Sequence, residues 1–196
     1  AKCWGYNFYG ELGDGTTVDR QVPVDVKGFS TGVAIIAVGG VHTCALLING
    51  GVKCWGFNEH GELGDGTQES RPASADVIDL TANVVAISAS TYHTCALLTN
   101  GAVKCWGKNS LGELGNGTHV DQAVPVGVSG LTNSVAAVTT GTNHTCALMS
   151  DGRVKCWGYN VYGELGDGTL ENRSTPIDVR VPAEMNYEIY LPMVKG

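Results

Sequence analysis

Positive charge is scarce in this 196-residue chain: 12 Lys and Arg stand against 19 Asp and Glu, giving a net charge of −7 with no run of like charge. Binding to phosphate needs a basic stripe, so nucleic acid is not an expected partner, and anionic lipid finds no patch either. Charged residues of both signs reach 16%, against a usual ~25%. Long apolar runs are missing too; none approaches the ~18–20 residues of a membrane-spanning helix. There is no serine elbow, phosphate-cradling loop or paired-His metal motif, so neither catalysis nor a cofactor is expected. The Gly-Asp-Gly-Thr stretches lack the lysine and the following helix of a phosphate loop, and one carboxylate among glycines falls short of a calcium cage. No signal peptide is visible and the first residue is Ala1, which reads as a processed form or a fragment.

Glycine is abundant, with 28 residues at about twice the usual ~7% share. Its placement is regular. The stretch from His42 to Thr67 returns as His93 to Thr118 and as His144 to Thr169, each copy 51 residues after the last. Its second half also opens the chain, so Cys-Trp-Gly recurs at Cys3, Cys54, Cys105 and Cys156. Residues 1–179 are therefore one repeat array: a partial unit over 1–32, then units from about 33, 84 and 135. Residues 180–196 read as a linker and a terminal strand, Tyr187 to Leu191.

Within a unit the local signals are those of β structure. Lys2 to Trp4 and Gln21 to Val26 read as strands, Pro23 placing the second at an edge. Val33 to Val38 is an apolar run too short for a typical helix and predicts a buried strand. Thr43 to Leu47 and Val52 to Trp55 flank Asn49-Gly50, a hairpin signal of residues that accept positive φ; Asn100-Gly101 and Asp151-Gly152 repeat it. Four short strands per repeat of this length are the signature of propeller blades, which must stack to bury their faces. The fold class is all-β, with about 3.5 blades of four antiparallel strands in a partial ring. Trp4, Trp55, Trp106 and Trp157 are expected to fill the space between blades. The leucine of each Gly-Glu-Leu-Gly is expected in the core, and Glu11, Glu62, Glu113 and Glu164 near backbone N–H groups or in an acidic ring.

Six of the seven cysteines form pairs ten positions apart: Cys44 with Cys54, Cys95 with Cys105, Cys146 with Cys156. On facing hairpin strands each pair falls opposite or within one place, near the separation a disulfide spans. A loop of ~11 residues gives a little under ~3 kcal/mol per bridge, and three sum to roughly 8 kcal/mol. Zinc is the competing reading, because His42 and Cys44 lie on one strand face with Cys54 near. Cys3 is left unpaired; its partner strand would lie upstream, as if the chain had been cut through a blade. Repetition also separates fabric from function. What recurs in every copy, including His42, His93 and His144, serves the fold; what differs is free to bind. The variable places are Phe8-Tyr9, Glu59-His60, Ser110-Leu111 and Val161-Tyr162, just before each Gly-Glu-Leu-Gly, and Thr17 to Arg20 with counterparts including Arg71 and Arg173. Phe8, Tyr9, His60, Leu111, Tyr159 and Tyr162 are the partner-binding candidates.

The pattern Gly-x-x-His-Thr-Cys-Ala-Leu, followed by Asn-Gly-x-Val-Lys-Cys-Trp-Gly-x-Asn-x-x-Gly-Glu-Leu-Gly-x-Gly-Thr, resembles the regulator of chromosome condensation repeat over residues 3–179. The second copy departs from it, with Ser90 in the place of Gly39 and Gly141. The resemblance implies a propeller, usually of seven blades, whose members bind partners through loop faces; this chain would be about half a ring. Further repeats or self-association would then complete the ring. The cysteine pairs are similar to those of bacterial secreted and cell-surface relatives, which implies an extracellular or cell-surface location. A non-catalytic protein-interaction or surface scaffold is the expected function. An inhibitor or regulator of a partner enzyme, similar to the branch that caps β-lactamases, is the alternative. A guanine-nucleotide exchange role ranks last, since the uniform spacing leaves no room for the wedge on which the founder's activity depends.

Overall fold

The computed structural model describes residues 1–29 and 32–180, and the expected terminal strand Tyr187 to Leu191 lies outside them. Among these described residues, fourteen strands make one two-stranded and three four-stranded antiparallel sheets. The first sheet joins β1 (Lys2–Gly5) to β2 (Arg20–Asp25). The second is the meander β3 (Val33–Val38), β4 (His42–Leu47), β5 (Val52–Gly56) and β6 (Arg71–Asp76). It is repeated by β7 (Val84–Ala89), β8 (His93–Leu98), β9 (Val103–Gly107) and β10 (Gln122–Gly127). A last copy follows as β11 (Val135–Thr140), β12 (His144–Met149), β13 (Val154–Gly158) and β14 (Arg173–Asp178). These are propeller blades, about three and a half of them, and no sheet closes on itself.

The β4–β5 hairpin turns as the sequence proposes, with one difference. Gly50, Gly101 and Gly152 carry the positive φ, at 80°, 77° and 87°, whereas the residue before each does not. Gly50 N–H donates to Leu47 O at 2.9 Å and Leu47 N–H to Gly51 O at 2.8 Å, so a single left-handed glycine ends the turn. This register sets Cys44 against Cys54, Cys95 against Cys105 and Cys146 against Cys156. All three pairs are disulfides, with Cα atoms 4.1 Å apart. The sulfurs are bonded to one another, so they are not thiolates available to zinc.

Contacts between blades explain why the repeat keeps its residues. Trp55, Trp106 and Trp157 are fully buried, each against a valine of the preceding repeat: Val26, Val77 and Val128. The indole edge comes so close that a Cβ on Gly13, Gly64 or Gly115 would stand 2.7, 2.9 or 2.7 Å from Nε1. The second glycine of each Gly-Glu-Leu-Gly thus serves a close approach as well as its left-handed φ of about 66°. Leu12, Leu63, Leu114 and Leu165 are buried beside it. Two expectations need correction. Trp4 fills no inter-blade space; it is 61% exposed, with no preceding repeat among the described residues. Nor is the first strand of a blade buried: Ile35 is 42% and Val38 70% exposed. Strands β3, β7 and β11 contact one another in succession across the blades, so they form the inner row and one face of each is left open.

Candidate functional site

One set of loops, between the third and fourth strands of each blade, carries the variable residues singled out in the sequence apart from Arg20, Arg71 and Arg173, which open the strand that follows, and an asparagine organises each loop. Asn58 is fully buried. Its Oδ1 accepts from Leu63 N–H at 2.9 Å, while Nδ2 reaches Thr67 O at 3.1 Å, Glu69 O at 3.1 Å and Asp65 Oδ1 at 3.3 Å. Asn7, Asn109 and Asn160 do the same work in their copies. A buried amide that meets both loop strands fixes the loop without regular secondary structure. Sequence reasoning assigns these asparagines no role; their unbroken 51-residue recurrence after Cys-Trp-Gly is the available signal.

Each loop is also tied at its far end. Asp14 accepts from Thr16 N–H and hydroxyl and from Arg20 Nε. Burial opposes its ionisation, yet the Thr16 and Arg20 hydrogen bonds prevail and hold the carboxyl at about 2. Asp65 with Arg71 and Asp167 with Arg173 repeat the pair, Asp167 also being held at about 2. In the unit from about 84 both members change together, to Asn116 and Gln122. Arg20, Arg71 and Arg173, expected among the variable binding residues, are instead engaged in holding the loop shut.

The glutamates belong to the fold as well. Glu62 Oε2 accepts from His60 N–H at 2.9 Å, and Glu11, Glu113 and Glu164 take Tyr9, Leu111 and Tyr162 N–H in the same way. The Glu62 main-chain O accepts the Trp106 indole N–H at 2.8 Å and the Thr94 hydroxyl at 3.3 Å, both from the next blade. Thr94 has only that one proton to give, so His42 Nε2, 2.7 Å from its Oγ1, is the donor there. His93 meets Thr145 identically, at 2.9 Å. These imidazoles stay neutral because burial lowers their pKa to about 4 and about 3. His42 Nδ1 is left without a partner, whereas the Ser90 hydroxyl fills that need for His93 at 2.7 Å. Ser90 leaves the turn itself unchanged, its N–H donating to His93 O as that of Gly39 does to His42 O. Burial raises the Glu62 carboxyl to about 7, with Oε1 unpartnered.

What remains on this face is aromatic and variable. Ring contacts run from Tyr6 to Phe8 at 6.4 Å, Phe8 to Tyr9 at 4.9 Å, Tyr9 to Phe57 at 4.8 Å and Phe57 to Tyr92 at 5.9 Å. His60 packs into the same row and its Nδ1 contacts Asp121 Oδ2 of the next repeat at 2.8 Å. Phe8 and Tyr162 are exposed, while Tyr9, His60, Leu111 and Tyr159 are half-buried. Tyr159 and Tyr162 form a separate pair, 6.2 Å apart, so the six candidates make two groups and not one anchor. Tyr6, Phe57 and Tyr92 escape the sequence reading. Tyr6 and Phe57 occupy the place that is Lys108 and Tyr159 in the other copies, so variation between repeats is their signal too.

A surface of this kind has no nucleophile with a base and no ligand cluster for a metal among the described residues. Comparison with known proteins agrees with the repeat reading. Family models described as the regulator of chromosome condensation (RCC1) repeat match residues 3–46, 49–97, 100–148 and 151–189, and a second model of the same description matches 33–62, 84–113 and 135–164. The chain is 32% identical over 184 residues to the ultraviolet-B receptor UVR8 of Arabidopsis thaliana, covering 92% of this chain and 42% of that one. It is 32% identical over 183 residues to the probable E3 ubiquitin-protein ligase HERC4 of Homo sapiens, where the match takes in 17% of the ligase. Among solved structures, human WBSCR16 superposes with a TM-score of 0.83 at 26% identity, over 93% of this chain and 49% of that one. The chain thus spans less than half the length of these curated relatives. With its strands, its buried tryptophans and its matched residues all following one repeat, the chain belongs to the regulator of chromosome condensation (RCC1) repeat family.

Proposed function

We propose that this chain is a non-catalytic protein-interaction scaffold that binds its partner through the loop face bearing Phe8, Tyr9, His60, Leu111, Tyr159 and Tyr162. One observation carries the reading. Around the position immediately before each Gly-Glu-Leu-Gly, every recurring side chain is consumed by the fold, and the residue there changes from Tyr9 to His60 to Leu111 to Tyr162. Exposed aromatics on a rigid base are the usual anchors of protein interfaces. A photo-crosslinking residue at Tyr162 or Tyr9 captures a protein partner on this account. The same residue at Ile48, exposed in the β4–β5 turn, captures none; equal labelling from both places would refute it.

Three further parts of the proposal rest on separate observations. The three disulfides support an extracellular or cell-surface location and a bacterial, secreted, cysteine-paired type. Alkylation of protein taken directly from its native source, with six cysteines found blocked, tests this; seven reactive thiols would overturn it. Exposed Trp4, together with Gly166, which lacks the indole that covers Gly13, Gly64 and Gly115, supports completion of the ring by further repeats or a second copy. Solution mass measures it. Exposure of Phe8 and Tyr162 also favours the second reading, an inhibitor or regulator that caps a partner enzyme; loss of that enzyme's activity on titration with this chain is its test.

A further inference from the structure

The row of rings on the loop face ends differently on its two sides. At the Tyr92 end a cation is already in place: Lys108 Nζ lies 5.4 Å from the Tyr92 ring centroid. At the other end Tyr6 and Phe8 are 62% and 61% exposed and nearly parallel with an interplanar angle of 18°, and Tyr9 packs edge-on against Phe8. No cation among the described residues serves them. Lys2 is paired with Asp25 and Arg20 with Asp14. Carboxylates, by contrast, are present. Asp19 is exposed, and Glu11 lines the same hollow as Tyr6 with its Oε2 taken by Tyr9 N–H at 2.9 Å. Asp19 gives one oxygen to Asn7 N–H at 2.8 Å and forms no ion pair among the described residues. Two open aromatic faces beside the exposed carboxylate of Asp19, on a chain of net charge −7, suit a cation that brings both charge and a flat or aliphatic body.

We infer that the Tyr6–Phe8 patch, flanked by Asp19, binds an arginine or lysine side chain presented by an extended segment of a protein partner. The inference rests on the interaction face proposed above and names the chemistry that face selects. The repeats themselves supply variants that spare the fold. Val161 stands in the place of Phe8, and Asn172 in the place of Asp19, where its Oδ1 takes Asn160 N–H at 2.8 Å as Asp19 takes Asn7. Phe8→Val and Asp19→Asn are therefore substitutions the architecture already accommodates.

The probe is a pentapeptide, Gly-Arg-Gly-Arg-Gly, titrated into the whole chain while the Tyr6 and Phe8 ring resonances are followed by NMR. Saturable shifts at these rings are expected, with affinity falling as salt rises. Phe8→Val is expected to weaken binding about 3- to 30-fold, and Asp19→Asn to weaken it less and flatten the salt dependence. The citrulline peptide, isosteric and neutral, should fail to bind. Equal binding of the citrulline peptide, no effect of Phe8→Val, or no saturable shift would each overturn the inference. Should the arginine peptide fail while crosslinking at Tyr9 still captures a protein, the face stands and only its preference for a cation falls. Failure of both removes the face as well.

Discussion

Removing Trp106 separates a rivet from a bystander, because the same repeat position is filled four times in two different environments. Trp106 is fully buried between the β3–β6 and β7–β10 sheets, whereas Trp4 is 61% exposed. Truncating a buried tryptophan to alanine costs about 3–5 kcal/mol through lost transfer energy and the cavity that remains. Here the Glu62 carbonyl also loses its 2.8 Å indole donor and keeps only Thr94 at 3.3 Å, which adds about 1 kcal/mol. Trp106→Ala should thus cost about 4–6 kcal/mol, Trp106→Phe about 2 kcal/mol, and Trp4→Ala under about 1 kcal/mol, as an exposed site should. Urea unfolding followed by far-ultraviolet circular dichroism measures all three without relying on indole emission. Because stacked repeats are coupled mainly to their neighbours, Trp106→Ala is also expected to broaden or split the transition at the junction of the β3–β6 and β7–β10 sheets. If Trp106→Ala and Trp4→Ala fell within about 1 kcal/mol of each other, the inter-blade role argued for the repeated tryptophan would be wrong.

Other expectations follow from the same neighbourhoods. Glu62 has its folded pKa raised from 4.5 to about 7, so its neutral form favours folding below pH 4.5 and that contribution is lost as pH rises through 7. Glu62→Gln should therefore gain stability above pH 7, by at most roughly 3 kcal/mol, and gain little at pH 4; a pH-independent effect contradicts this. Asp14 and Asp167 have folded pKa values lowered to about 2, so their stabilisation is present above pH 4 and fades as pH falls toward 2. Replacing Asp65 alone by Asn leaves Arg71 without its partner, whereas Asp65→Asn with Arg71→Gln copies the Asn116 and Gln122 combination. The double variant should be the more stable of the two by thermal denaturation, and the reverse order would refute the loop-tie reading. Thiol labelling of the folded chain should modify Cys3 without reductant, and the six buried or half-buried disulfide sulfurs only after reduction in denaturant; labelling of Cys44 before reduction would refute the assignment.

Much of the architecture could be read from spacing alone, since a 51-residue period fixes which residues are equivalent and the hairpin glycines fix which cysteines face each other. The parts that escaped reading depend on what stands next to a residue and not on its type. Val33 to Val38 has the composition of a buried strand, yet as an inner-row strand it leaves Val38 open, a fact set by blade order. Trp4 has the same sequence neighbours as Trp55 and lacks only the preceding blade. Arg71 looks variable because its counterpart in the next unit is Gln122, and the compensating change at Asn116 becomes meaningful only once the pair is seen in contact. Asn58 illustrates the reverse case: its recurrence is plain, but four hydrogen bonds from one buried amide could not be inferred without the loop path.

The claim that the recurring residues build the fold while the varying loop residues bind is tested most directly by making three loops copy the fourth. Tyr9→Leu, His60→Leu and Tyr162→Leu together place the Leu111 residue in every repeat. His60→Leu also removes the pairing with Asp121, which is partly exposed to solvent and contributes less than about 1 kcal/mol. Crosslinking from position 159 and the melting temperature are then measured on the same preparation. The account predicts a melting temperature within about 4 °C of the parent chain and loss of partner capture. A chain that unfolds as readily as Trp106→Ala, or one that still captures its partner, would contradict it.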